Sequence, residues 1–172
     1  MHHLIKLFII PIVLLKLGNS NDALSISTRL QTLDTSQYAI FQYSQTYSYY
    51  INNGKPTSLA ISDINLIAEL LNRASEDYNS SKMKLFSGKS ISPLQNYKLQ
   101  LIPALDSNNK KIVFANCFIP MTIYGKNGPV KDYPSDWRSV LVSADGGGSS
   151  IFHLTFNLVD SSYSPLITNS QK

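Results

Sequence analysis

The chain has 172 residues, 43% of them hydrophobic and 15% charged, with Lys+Arg 15 against Asp+Glu 11. That length and apolar content suit one ordinary domain with a core of its own. The formal net charge is only +4 at pH 7. The densest basic spot, Lys110-Lys111, falls in a predicted turn and does not make the stripe a nucleic-acid partner requires. The single cysteine, Cys117, excludes an internal disulfide.

Residues 1–20 have the layout of a secretory signal peptide. A basic start (His2, His3, Lys6) precedes an apolar run over 7–15, and small residues follow at Gly18-Asn19-Ser20. The apolar run is interrupted by Pro11 and closed by Lys16, short of the roughly 20 apolar residues a spanning helix needs. With no cysteine at the exit, lipid attachment is disfavoured. The expectation is cleavage after Ser20 or Ala23 and a secreted or periplasmic product, an uncleaved anchor being the alternative. Without Lys6 and Lys16 the formal charge falls to about +2. Residues 21–36 read as a loose leader.

A strand is predicted over 37–45 from Tyr38, Ile40, Phe41 and Tyr43, with a short extension at 47–51 and a turn at Asn52-Asn53-Gly54-Lys55-Pro56. The one helix starts at Ser62 and Asp63, an N-cap and a first-turn acid. It carries Ile64, Ile67, Leu70, Leu71, Ala74 and Tyr78 as one apolar stripe. After a polar linker (82–93), strands over 97–105 and 111–119 form a hairpin around Asp106-Ser107-Asn108-Asn109. A Gly/Pro-rich loop is predicted for 120–134, a strand for 137–144, a glycine turn for 145–149 and a last strand for 151–159. The domain runs from 37 to 168, and 169–172 form a tail.

This order predicts an α+β fold: one N-terminal amphipathic helix packed on an antiparallel sheet of about 4–5 strands, with one sheet face under the helix and the other partly wet. Tyr97-Lys98, the run 112–118, Asp136-Trp137-Arg138 and Asp145-Gly146-Gly147 before an alternating strand resemble a group of small exported bacterial proteins of unknown function. The order of strand and helix is similar to the cystatin-like helix-grip fold. That resemblance implies a helix held by a curved sheet. The cystatin inhibitory hairpin motif is absent, and Asp106–Lys110, its positional counterpart, lacks that character.

Catalytic candidates are few. By alternation Cys117 and His153 are expected on one outer sheet face, where a Cys/His nucleophile needs both side chains within hydrogen-bond reach. The plainer reading makes Cys117 a small buried hydrophobe and His153 an exposed strand residue. No metal is expected: His153 is the only histidine beyond residue 20, and Asp106 with Asn108 falls far short of a calcium loop. No cofactor is expected either, since a strand rather than a helix follows Gly146-Gly147-Gly148. Tyr49, Tyr50 and Trp137 are binding candidates, because exposed aromatics offer contact area at low entropic cost. Asn79-Ser80-Ser81 matches a glycosylation acceptor.

The sequence therefore points to an exported, non-enzymatic binding or accessory protein acting on another protein or an extracellular ligand. Two alternatives stand beside it. One is a secreted protein inhibitor using 120–134 and 145–149 as a wedge. The other is a small enzyme built on Cys117 and His153.

Overall fold

The computed structural model describes residues 32–81, 89–126, 128–143 and 146–169. The expected signal segment, the leader up to residue 31 and most of the 82–93 linker lie outside the described residues. Within them the chain forms nine strands and one α-helix, besides three short 3-10 turns: β1 Tyr38–Ile40, β2 Lys55–Pro56, α1 Ile61–Ser80, β3 Lys98–Leu105, β4 Lys111–Phe118, β5 Met121–Gly125, β6 Gly128–Tyr133, β7 Ile151–Asn157, β8 Ser162–Tyr163 and β9 Ile167–Thr168.

The helix forms where the apolar stripe recurs at helical spacing. Its N-terminus lies slightly earlier than predicted: Ala60 is the extended cap residue, and the Asp63 carboxylate accepts the Ala60 N–H at 2.8 Å. That acceptor satisfies one of the donors a helix start leaves open. Lys111 Nζ reaches the same carboxylate at 2.9 Å, tying the helix start to β4. Burial pushes the Asp63 pKa up, but the Ala60 N–H and the Lys111 ammonium outweigh it, and the net shift is downward. At the other end Ser81 donates its N–H and its hydroxyl to the Tyr78 carbonyl. All six stripe residues are buried. The four aliphatic side chains Ile64, Ile67, Leu70 and Leu71 each contribute on the order of 1.5–3 kcal/mol when fully removed from water, and Ala74 less.

The stripe lies on a seven-stranded sheet of order β1-β3-β4-β7-β8, with β2 also paired to β3 and β9 to β7. The β3–β4 hairpin has the predicted form and runs in continuous register from Lys98↔Phe118 to Leu105↔Lys111. Asp106 closes it: its Oδ1 accepts the N–H groups of Asn108 and Lys110. Asp106 and Asn108 thus make an Asx turn, and Asn109 takes a positive φ of 57°.

Several expectations are corrected. The helix is not N-terminal, because β1 and β2 precede it. The sheet is mixed rather than antiparallel, since β1 pairs parallel to β3, Tyr38↔Leu99 to Ile40↔Leu101. Residues 120–134 are not a plain loop: β5 and β6 form a separate antiparallel pair with a register shift at Ile123/Tyr124. Residues 137–143 form no strand. Leu33, assigned to the loose leader, is buried in the core under the helix.

The second sheet face is dry over β3 and most of β4, whereas along β7 it stays half-exposed, as Ile151, His153, Thr155 and Asn157 show. Val113, Ala115 and Cys117 of β4 face the helix together with Leu99, Leu101 and Phe152. Ile102, Ala104 and Phe114 face the other way, under Phe41, Tyr43 and Ile51, with Tyr47, Tyr50, Trp137 and Leu141 packed around them. Both sides of β3 and of most of β4 are therefore dry. The helix takes the side with the smaller β4 residues, and loop aromatics cover the larger ones.

Candidate functional site

The chain crosses the second sheet face in the segment 136–143, and two buried amides hold it there. Gln100 is fully buried on β3 and Asn116 is buried opposite it on β4. Gln100 Nε2 donates to the carbonyls of Trp137 (2.6 Å) and Val140 (2.7 Å). Its Oε1 accepts from Val142 N–H (2.8 Å) and Asn116 Nδ2 (3.0 Å). Asn116 Nδ2 also donates to the Val142 carbonyl at 2.8 Å. A buried polar group is costly unless it is paired. These side chains supply the partners that a neighbouring strand would otherwise provide.

Beside this clamped segment lies a cleft of about 500 Å³. Its floor is the end of β4 and the start of β7, Phe118 and Ile151. One wall is 140–143, the other comes from Met121, Tyr133 and Pro134 of the hairpin, and the glycine turn closes the end. Gly146 and Gly147 both have positive φ, 94° and 99°. A side chain at Gly147 would also crowd Ile151 at 3.2 Å, so this end of the cleft needs glycine. Tyr97 fixes the next residues: its buried hydroxyl donates to the Ser149 carbonyl at 2.7 Å and accepts from Ser92 N–H at 3.2 Å. Burial raises the Tyr97 pKa.

The cleft is apolar and its rim is open. Met121 is 64% exposed, Val140 53% and Tyr133 51%. Among the described lining residues only Asp136 carries a formal charge. A cavity of this size, mostly apolar with a few polar groups (Asp136, Ser143, Ser150), has the general form of a small-molecule site.

The structure does not bring the sequence-derived candidates together here. Cys117 and His153 lie on opposite sheet faces: Cys117 pairs with Phe152 and is buried under the helix, whereas His153 pairs with Asn116 and lies against the Phe114 ring at 5.7 Å. The expected shared face does not form: Cys117 lies in the core under the helix with Val113 and Ala115, while Phe114 and His153 lie on the other side of the sheet. Burial pushes the Cys117 thiol far up in pKa and lowers that of His153, the reverse of an activated thiolate beside a protonated imidazole.

Tyr50 stacks on Phe114 with ring centroids 4.3 Å apart. Trp137 packs edge-on against Phe118 at 5.9 Å. Phe114 and Phe118 are about 13 Å apart along β4, so these two aromatics serve different parts of the sheet cover. Tyr49, 91% exposed, is the candidate that meets solvent. Trp137 carries the Arg138 guanidinium over its ring at 4.4 Å. That guanidinium donates to the carbonyls of Thr35 and Tyr38, drawing Thr35, ahead of the expected domain start, onto the fold.

The other marked residues have structural partners. Lys110 pairs with Asp160 at 2.7 Å and Lys111 with Asp63, so the densest basic spot is compensated. Asn79 Oδ1 accepts Ile91 N–H and its Nδ2 donates to the Ile91 carbonyl, a two-bond latch between the helix end and the last part of the linker. Sequence reasoning missed the cleft residues Met121, Tyr133, Asp136 and Val140 as a site. A usable signal existed in Gln100 and Asn116, polar residues at paired positions in two apolar strands.

Among the described residues no group of three or more His, Cys, Asp or Glu is placed to hold a metal ion, and no helix is long and apolar enough to cross a membrane. No family model, curated protein or solved structure matches the chain.

Proposed function

We infer that this chain is an exported, non-enzymatic binding protein whose cleft takes up an apolar ligand. The observation that carries the reading is the cleft itself, an apolar hollow with exposed Met121, Val140 and Tyr133 on its rim and a wall held rigid by Gln100 and Asn116. A preformed wall reduces the ordering cost of binding. Export rests on the signal-like segment 1–20, and mass spectrometry of the secreted form tests it by the mass of the mature N-terminus. One helix laid across a sheet agrees with the cystatin-like arrangement, although here much of the second face is also covered.

Phenylbutanol, an apolar probe of suitable size, tests the cleft. Binding with a Kd on the order of 0.1–1 mM is expected, read by the emission of Trp137, the only tryptophan. Val140→Asp and Met121→Asp place charge on exposed rim positions and should weaken binding at least about tenfold with little change in stability. Unchanged binding in both variants would exclude the cleft as the site.

A second reading, a protein inhibitor, draws on the hairpin β5–β6, which pairs only with itself among the described strands and exposes Met121 and Tyr133. It predicts a stoichiometric protein complex that a Met121→Asp/Tyr133→Ser variant fails to form.

A further inference from the structure

Resting on the cleft as a binding site, we propose that its ligand is a small amphiphilic amine, with an apolar body among Phe118, Val140 and Ile151 and one cationic head paired with Asp136. Charge complementarity carries the assignment. Asp136 is the one formally charged residue among the described lining residues. Its main chain is fixed: its carbonyl accepts the N–H groups of Ser139 and Val140 and the Ser139 hydroxyl. Its carboxylate has no ion pair or hydrogen bond with any described residue.

Among the described side chains, the nearby cations are committed elsewhere. Arg138 donates to Thr35 and Tyr38 and lies over Trp137, and Lys98 Nζ donates to the Ser36 carbonyl at 3.0 Å. A carboxylate without a cation among the described side chains, on the rim of an apolar hollow, supplies a complement to an ammonium group; Asp136 is exposed, so the attraction is modest and screened by salt. The chain as a whole is positive, so its overall field does not gather cations. Preference for an amine must arise at this carboxylate. The volume suits a small molecule rather than a folded partner.

Three probes of matched body separate this proposal from the cleft reading on which it rests: phenylbutylamine, phenylbutanol and phenylbutyrate, titrated against the full chain. The amine should bind about 5-fold tighter than the alcohol, and the carboxylate weakest. Asp136→Asn should bring the amine to the level of the alcohol while leaving the alcohol unchanged. The retained alcohol binding also reports that the variant is folded. In the parent protein, raising the salt from about 0.05 to 0.5 M should erode the amine's advantage, a test that needs no variant. Equal affinity for amine and alcohol, or an amine preference that survives Asp136→Asn, overturns the amine assignment and leaves the cleft standing. Failure of all three probes to bind overturns both.

Discussion

Gln100 and Asn116 face each other across the β3–β4 ladder and share a hydrogen bond of 3.0 Å from Asn116 Nδ2 to Gln100 Oε1. Between them they satisfy four backbone groups of the segment that walls the cleft. This pair converts an irregular segment into a fixed surface. Gln100→Leu should destabilise the fold by about 3 kcal/mol, because it strands buried donors and acceptors rather than merely removing a bond. Urea unfolding of Gln100→Leu, Asn116→Leu and the double variant measures it. The double variant should cost clearly less than the sum of the singles.

Tyr97→Phe removes the hydroxyl that joins Ser92 and Ser149, fully buried in the core. The expected loss is about 1–2 kcal/mol, with faster amide exchange at Ser92 and around the glycine turn. Tyr97 also sets an alkaline limit. Its folded pKa is raised by burial, so the unfolded chain releases the proton first. Stability is fully present below the ordinary tyrosine pKa and falls as pH rises through it towards the folded value. Tyr97→Phe should flatten that alkaline slope.

His153 sets a slope on the acid side. Burial lowers its folded pKa, so the unfolded chain takes up a proton that the folded chain resists. Stability is complete above the ordinary histidine pKa and declines as pH falls through the folded value. Melting temperatures between about pH 7.5 and 5 should drop for the parent and stay flatter for His153→Phe. An equal drop in both would assign the slope elsewhere.

Cys117 should behave as an inert core residue. A thiol reagent should leave it unmodified in the native protein and label it only at the rate of unfolding. Cys117→Ala should cost about 1 kcal/mol through lost packing under the helix. Rapid labelling of the folded protein would contradict its burial.

Much of the first layer was legible in the sequence, because α1 and the β3–β4 hairpin carry their own periodicities: Ile64 to Tyr78 at helical steps, and alternation around a short Asp/Asn turn. The second layer was not, and the residues show why. Both faces of β4 are apolar, so alternation alone does not tell which of Phe114 and Cys117 meets the helix. Volume decides it: the helix packs on Val113, Ala115 and Cys117, and the larger Phe114 and Phe118 take loop aromatics. The stretch Val140-Leu141-Val142 has strand composition, yet its backbone is satisfied by the side chains of Gln100 and Asn116 rather than by a strand. Pro129 and the glycines of 125–128 read as a loop, but β5 and β6 accommodate Pro129 where the register shifts. The cleft arises from these non-local choices, and local pattern alone does not reveal it.

The most direct test of the binding account is residue-resolved: amide chemical-shift changes of the full chain on titration with phenylbutanol. The account predicts saturable shifts concentrated at Phe118, Val140, Val142, Gly147 and Ile151, absent from the Tyr49 turn and lost in Val140→Asp. Shifts that do not saturate, or that centre on Tyr49 and spare the cleft, would contradict it.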